Sequence, residues 1–410
     1  MKKIYLLMIA CVSAMYSYAA GSIVIPDVKI PQGGVVWVPI NVSNDENFSD
    51  ANMDIYTNNT ALTIEDAIPG DLCTDHATTI TPKTDFFRFT VTTTTGTMWT
   101  AQSGSIWYLK FVDDGSKPLG TVYTCNTSGV KFARSGYAVV PTNVSFTVTV
   151  VDHYTIDENS RWIGIDAAGV KVAVNRTIKA NTWSTICLPF EMDADMIDDA
   201  FGTGTKVVDF SEALLHTSAN ATSAGTKVDN IQIELTTMPT DERVISPNTP
   251  CLIKVPSAVT TFGLDAVDLA AEDEPKTESN QKLYKIDSSA TWSATKRKSY
   301  LVGNYNPNTV LDEDALYLSD NKYYYSNGST KMKALRAYFN LFVVLSNKNV
   351  GSPVKDLSFE VDGVLVDAIE GISAEEVAAN GWYDLNGRKL SAKPAAKGIY
   401  INNGKKVVVK

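Results

Sequence analysis

The chain has 410 residues, 44% of them hydrophobic and 10% aromatic, enough to build the cores of two or three domains and too apolar for a disordered polymer. Against 36 basic side chains stand 46 acidic ones, a formal charge of −10, and the Lys and Arg clusters on which phosphate binding depends are missing, which argues against a nucleic-acid partner. The three histidines, His76, His153 and His216, are scattered, and there is no Cys-x-x-Cys, Gly-x-Ser-x-Gly, phosphate loop or His-Glu-x-x-His, so neither a metal site nor a cofactor is expected.

The amino terminus reads as an export signal. Lys2 and Lys3 precede an apolar run over 4–16, and Ser17-Tyr18-Ala19 puts small residues at both ends of a cleavage triplet, so residues 1–19 are expected to leave as a signal peptide. The run is too short to remain in a bilayer, and no later stretch approaches about eighteen consecutive apolar residues, so no transmembrane segment is expected. Cys11 lies inside the apolar run and reads as an ordinary part of it. Export would place the other cysteines, Cys73, Cys125, Cys187 and Cys251, in an oxidising compartment. Two fall in each large segment, which makes Cys73 with Cys125 and Cys187 with Cys251 the natural pairing; four buried free thiols are the alternative.

Residues 20–151 read as an all-β domain. Val36, Val38, Ile40 and Val42 alternate with polar or bulky neighbours, as do Phe87, Phe89 and Val91, and Val144, Phe146, Val148 and Val150. A period of two sends one face of each strand into a core and the other into water. Further strands are predicted at 23–30, 53–57, 106–112, 122–125 and 130–132. Short Gly, Asn, Asp and Pro clusters separate them, which points to a β-sandwich. The order of features is similar to that of cohesin-like domains and the carbohydrate-binding modules that share their fold: a first strand, the turn Pro31-Gln32-Gly33-Gly34, the strand over 35–42, an Asn/Asp-rich loop and the later strand Gly-Ser-Ile-Trp-Tyr-Leu-Lys-Phe at 104–111. That resemblance covers about a third of the chain and implies binding to a glycan or a partner protein rather than catalysis.

Residues 152–363 read as a second β-rich, sandwich-type domain, entered through a connection that carries one strand at 161–165. Strands are predicted at 185–189, 231–235, 252–255, 283–286, 300–302, 315–318, 322–325, 342–345 and 357–361. The run 192–201 is the one helical candidate, with Asp193 as its cap; its acidic residues lack the Gly and the final Glu of a calcium loop. The runs 176–190 and 333–339 resemble an uncharacterised β-rich region of surface proteins. The segment 270–280, acidic and carrying Pro275, reads as an exposed loop.

Residues 364–410 form a linker and a small β tail, with strand-like runs at 382–385, 398–401 and 407–409 and turns marked by Asn386-Gly387 and Asn402-Asn403-Gly404. The tail resembles the C-terminal sorting signals of type IX-secreted surface proteins, which combine a Leu-Asn-Gly-Arg turn, a Gly-Ile-Tyr-Ile strand and a basic last strand. The alternative is that these strands complete a neighbouring sheet.

Taken together, the sequence predicts an all-β, non-enzymatic protein of the cell exterior: two sandwich-type domains and a small tail. Its leading function is adhesion to extracellular polysaccharide through the first sandwich. Sugars stack apolar faces on aromatic rings, so Trp99, in a loop after a threonine run, and Trp107 and Tyr108, on opposite sides of one strand, are the candidate platform. The Tyr323-Tyr324-Tyr325 run is a second aromatic candidate. The alternative function is a structural or protein-docking role toward a surface protein, and a glycoside hydrolase ranks behind both, because 46 acidic residues supply candidate carboxylates without selecting a pair.

Overall fold

The computed structural model describes residues 21–217, 228–277, 281–286, 298–340 and 356–365, apart from positions 44–45, 74, 94, 100–102, 314, 320–321 and 363, together with four short strands within 382–409. The signal-peptide stretch 1–19, the predicted strand 342–345 and the tail's Asn386-Gly387 turn lie outside the described residues. The chain is nearly all β, with a single helix among the described residues, and divides into two compact units, 1–154 and 155–410.

Among the described residues the first unit holds eleven strands: β1 (Ser22–Val24), β2 (Val28–Pro31), β3 (Val35–Ser43), β4 (Asp50–Tyr56), β5 (Leu62–Pro69), β6 (His76–Pro82), β7 (Phe87–Thr93), β8 (Gly104–Asp113), β9 (Val122–Arg134), β10 (Tyr137–Val139) and β11 (Ser145–Val151). They form two sheets, one ordered β1-β3-β8-β5, the other β2-β11-β9-β4-β7-β6 with β10 added beside β9. One apolar cluster takes Val38, Ile40, Leu109 and Phe111 from the first sheet and Met53, Ile55, Phe89, Phe132 and Phe146 from the second, so the sheets face each other across a shared core.

Several strands differ from their sequence reading for local reasons. The run 23–30 is two strands rather than one: the chain breaks around Pro26, which has no N–H to donate, so β1 pairs antiparallel with β3 while β2 joins the opposite sheet, parallel to β11. Conversely, 122–125 and 130–132 are parts of the single strand β9, bulged where Gly129 takes φ +60°. The sequence reading passed over β5 and β6. The Glu65-Asp66 pair interrupts the alternation of β5 with a register shift, and β6, His-Ala-Thr-Thr-Ile-Thr-Pro, has Ile80 as its single large aliphatic residue.

Asp113, at the end of β8, ties the turns together. Its carboxylate, nearly inaccessible to solvent, accepts from the Gly33 N–H at 2.8 Å, the Gly115 N–H at 3.0 Å and the Tyr123 hydroxyl at 2.6 Å. Burial and the Asp113 hydrogen bond together push the Tyr123 phenol well above its ordinary range.

In the second unit the strand Tyr154–Asp157, which begins at the last residue of the first unit, joins Ala167–Ile178 and Val259–Leu269 in a three-stranded sheet. The strand expected at 161–165 is irregular, and the strand before it lies at Tyr154–Asp157. A larger sheet runs in the order Lys322–Tyr325, Leu316–Ser319, Arg336–Asn340, Lys298–Asn304, Gln281–Ile286, Lys206–Thr217, Val228–Thr237, Asp356–Val361, Val364–Leu365, with Trp183–Ile186 attached through Cys251–Lys254. Trp183, Phe210, Ile233, Leu252, Phe339 and Phe359 build its core. Helix α1 (Ala194–Phe201) is capped as its sequence predicts: the Asp193 side chain accepts from the Met196 N–H at 2.9 Å, and Ile197 and Phe201 are buried. The tail strands Trp382–Tyr383, Lys389–Leu390, Gly398–Asn402 and Lys405–Val409 pair with one another in a four-stranded antiparallel sheet.

One carboxylate organises the polar interior of this unit. Glu158 accepts from Lys333 Nζ at 2.9 Å and Arg336 at 2.7 Å, and lies 3.4 Å from the guanidinium of Arg176, which is 0% exposed. Arg176 also donates to the Thr185 carbonyl at 2.7 Å, so it bridges two strands. Burial pulls the Arg176 guanidinium down to about 9, and Arg336's charge acts the same way, while Glu158 opposes both. For Glu158 burial acts upward, but the Lys333 hydrogen bond and the charges of Arg336 and Arg176 outweigh it and hold the carboxyl below its usual range. A carboxyl so depressed binds fewer protons folded than unfolded, so its stabilisation is present above about pH 4 and is lost as pH falls through the folded value. Glu158→Ala should therefore destabilise this unit by about 3–5 kcal/mol, measured by denaturant titration, because it leaves buried Arg176 unpaired. Glu158→Gln should flatten the acid limb of the stability curve; an unchanged acid limb would show that Glu158 does not carry it.

Candidate functional site

The rings expected to form a sugar platform are core rings. Trp99 is 1% exposed. Its backbone N–H bonds to the Phe48 carbonyl at 2.9 Å, which draws the loop in, and its indole packs among Phe48, His76 and Phe132, edge-on to the last. Trp107, also 1% exposed, lies opposite Ile40 on the inner face of β8. Tyr108 faces the other side of that sheet, yet is 5% exposed, because the turn 70–73 lies along β8 and Asp71 accepts its hydroxyl at 3.1 Å. That turn needs Gly70: a Cβ there would collide with the Ser105 backbone. In the second unit Tyr323 is buried and stacks on Phe359 at 3.4 Å, whereas Tyr324 stacks on Tyr317 on the opposite face.

The expected disulfides are absent as well: Cys73, Cys125, Cys187 and Cys251 are all buried free thiols. Cys73 follows the turn beside β8 while Cys125 sits in β9 of the other sheet. Cys251 is paired with Ile186 rather than with Cys187, which follows the strand. Burial pushes Cys73, Cys125 and Cys187 up to about 12, with a Tyr305 hydrogen bond opposing at Cys187, and burial raises Cys251 too, so none is a reactive thiolate.

What the first unit leaves open is the outer face of β9, β4, β7 and β6. Across the strands run two registered rows, Lys131–Asn52–Thr90–Thr79 and Ser128–Asp54–Arg88–Thr81. The Asn52 amide donates to the Gly129 carbonyl at 3.0 Å, and Arg88 grips Asp54 through two 2.7 Å bonds. At one end Tyr56 and Phe86 meet at 5.1 Å, with the Arg88 guanidinium over the Phe86 ring. The face carries no Trp. Of these residues the sequence marks Arg88 and Thr90 as the polar side of an alternating strand, while Asn52 and Ser128 fall outside the predicted strands and β6, which supplies Thr79 and Thr81, is not predicted; the Thr-x-Thr spacing of 79–81 beside 90–92 is the signal available. Among the described residues no group of three or more His, Cys, Asp or Glu could hold a metal ion, and no helix is long and apolar enough to cross a membrane.

A family model of the cohesin domain matches residues 21–150. No curated protein matches the chain. Among solved structures, a non-cellulosomal cohesin from the hyperthermophilic archaeon Archaeoglobus fulgidus is 19% identical, covering 32% of this chain and 92% of its own, with a TM-score of 0.28. A type I cohesin from Pseudobacteroides cellulosolvens is 18% identical, with coverage of 32% and 92% and a TM-score of 0.27. A type I cohesin–dockerin complex from Clostridium thermocellum contains a chain 14% identical, with coverage of 32% and 99% and a TM-score of 0.29.

Two measurements check the interior. Trp99→Ala and Trp107→Ala should each destabilise the first unit by about 3–5 kcal/mol, a drop in melting temperature that an exposed ring would not give. Thiol titration of the denatured, unreduced chain should find every cysteine free, and fewer than four thiols would restore a disulfide.

Proposed function

We propose that this protein is a non-catalytic docking protein whose first unit, residues 21–150, holds a partner protein of the dockerin type on the outer face of β9, β4, β7 and β6. The observation that carries this reading is the composition of that face: polar, with Thr79, Thr81, Thr90, Ser128 and Asn52 around an Arg88–Asp54 ion pair. Such a surface offers short, rigid hydrogen-bonding groups that lose little side-chain entropy on binding, suited to a complementary protein surface. Sugar stacking has less support, because the tryptophans that would provide it are inside. The cohesin-domain match points the same way, since cohesin domains are docking modules without catalytic activity. Docking outside the cell agrees with the export signal read at 1–19, and attachment through the tail agrees with its likeness to sorting signals.

The test immobilises the full-length protein and passes over it a panel of dockerin modules and, separately, soluble polysaccharides. A dockerin should bind, and Asn52→Arg with Thr90→Arg, which places two long cationic side chains in the middle of the face, should weaken binding by roughly 30-fold or more. The melting temperature should hold, since both positions lie outside the core. Polysaccharide binding that survives both substitutions, with no dockerin retained, would sink the docking assignment.

A further inference from the structure

The second unit contains a cleft of about 240 Å³ between the acidic segment 273–277 and the chain around 302–309. We propose that this cleft binds a single neutral sugar residue. The inference does not rest on the docking face, which belongs to the other unit.

Its first support is that the acidic segment is a built wall. Sequence alone reads 270–280 as an exposed loop, but the chain is fastened on both sides: the Ala270 N–H donates to the Pro189 carbonyl at 2.8 Å and the Lys276 N–H to the Asn248 carbonyl at 2.7 Å. Asn248, fully buried and held at φ +61°, donates its amide to Glu272 at 3.1 Å and accepts from the Tyr305 hydroxyl at 2.7 Å. Two glycines let the segment settle. A Cβ at Gly164 would collide with the Ala271 backbone, and one at Gly303 would stand 2.6 Å from Pro275 Cβ. Asp273 and Glu274 are thereby presented, still exposed, at the rim of a rigid recess.

The second support is the mixture of groups that line it. Asp273 and Glu274 accept hydrogen bonds, Thr277 gives and takes them, and half-buried Tyr338 adds a ring with a hydroxyl. Pro275 and Val302 contribute apolar surface. A sugar ring needs this combination: an apolar face against a ring or aliphatic wall, and a hydroxyl edge that both gives and takes hydrogen bonds. Rival chemistries fit less well: two carboxylates repel an anion, and an apolar ligand would strand the polar rim. The volume lies below the range of pockets for drug-sized ligands and suits a single ring.

The experiment is saturation-transfer NMR on the full-length protein with glucose, galactose, mannose and N-acetylglucosamine in turn, and with guanidinium and inorganic phosphate as charged probes. One of the sugars should bind with a dissociation constant on the order of millimolar, as expected for so few atoms. The double variant Asp273→Asn, Glu274→Gln preserves shape at two exposed positions, so it should keep the melting temperature and weaken that sugar at least about tenfold through lost charge-assisted hydrogen bonds. Asn52→Arg should leave sugar binding unchanged, which separates this site from the docking face. Transfer to none of the four sugars at roughly 50 mM, binding undiminished in the double variant, or preference for guanidinium or phosphate would each overturn the assignment.

Discussion

The burial of the large rings between the two sheets of the first unit is the constraint on which its surface depends. Trp99, Trp107, Phe48, Phe89, Phe111, Phe132 and Phe146 share one core, and each is essentially inaccessible to solvent. Removing one such ring from a packed core typically costs about 3–5 kcal/mol, a large fraction of a domain's net stability, so the strands have little freedom to turn these rings outward. Because strand side chains alternate, fixing the inner face fixes the outer one. On β4, β6, β7 and β9 that outer face is left to Asn, Asp, Thr, Arg and Lys, and the recognition it can offer is correspondingly one of hydrogen bonds and shape.

The second unit meets a different problem, a charged interior. Arg176 is fully buried, and Glu158, with Lys333 and Arg336 beside it, keeps that charge compensated while linking strands that are distant in sequence. A buried pair of this kind is weak as a source of net stability but severe as a constraint, because losing either partner leaves an uncompensated ion. Gly164 admits the Ala271 backbone and Gly303 the Pro275 ring, where a Cβ would stand too close. The effect is to hold polar groups in fixed positions around a recess. Rigid placement of that kind lowers the ordering entropy of binding a small polar ligand.

Local order was legible where a short-range rule governs it. The alternation of Val36, Val38, Ile40 and Val42 named β3 and its inner face, the Asp193 cap and the following Ile197 named α1, and the spacing of Val144 to Val150 named β11. The cohesin-like order of features over 21–150 was legible too, because turn residues and strand spacing record architecture directly. Less visible were strands whose chemistry is weakly apolar: β6 has three threonines in seven residues, and only its pairing with β7 makes it a strand. Trp99 shows the same limit in reverse. Its loop position suggested exposure, and a single long-range hydrogen bond to Phe48 puts it in the core.

By itself, then, the sequence determined the all-β class, the sandwich of the first unit and the capped helix, since each follows from composition or from patterns a few residues long. The tertiary structure decided which aromatic rings are available to a ligand, that the four cysteines do not pair, and that the acidic segment 270–277 is a fixed wall. Those outcomes depend on contacts between residues tens of positions apart: Trp99 with Phe48, Cys251 with Ile186, Gly303 with Pro275. No periodicity or local propensity encodes such contacts, because they exist only once the sheets have packed.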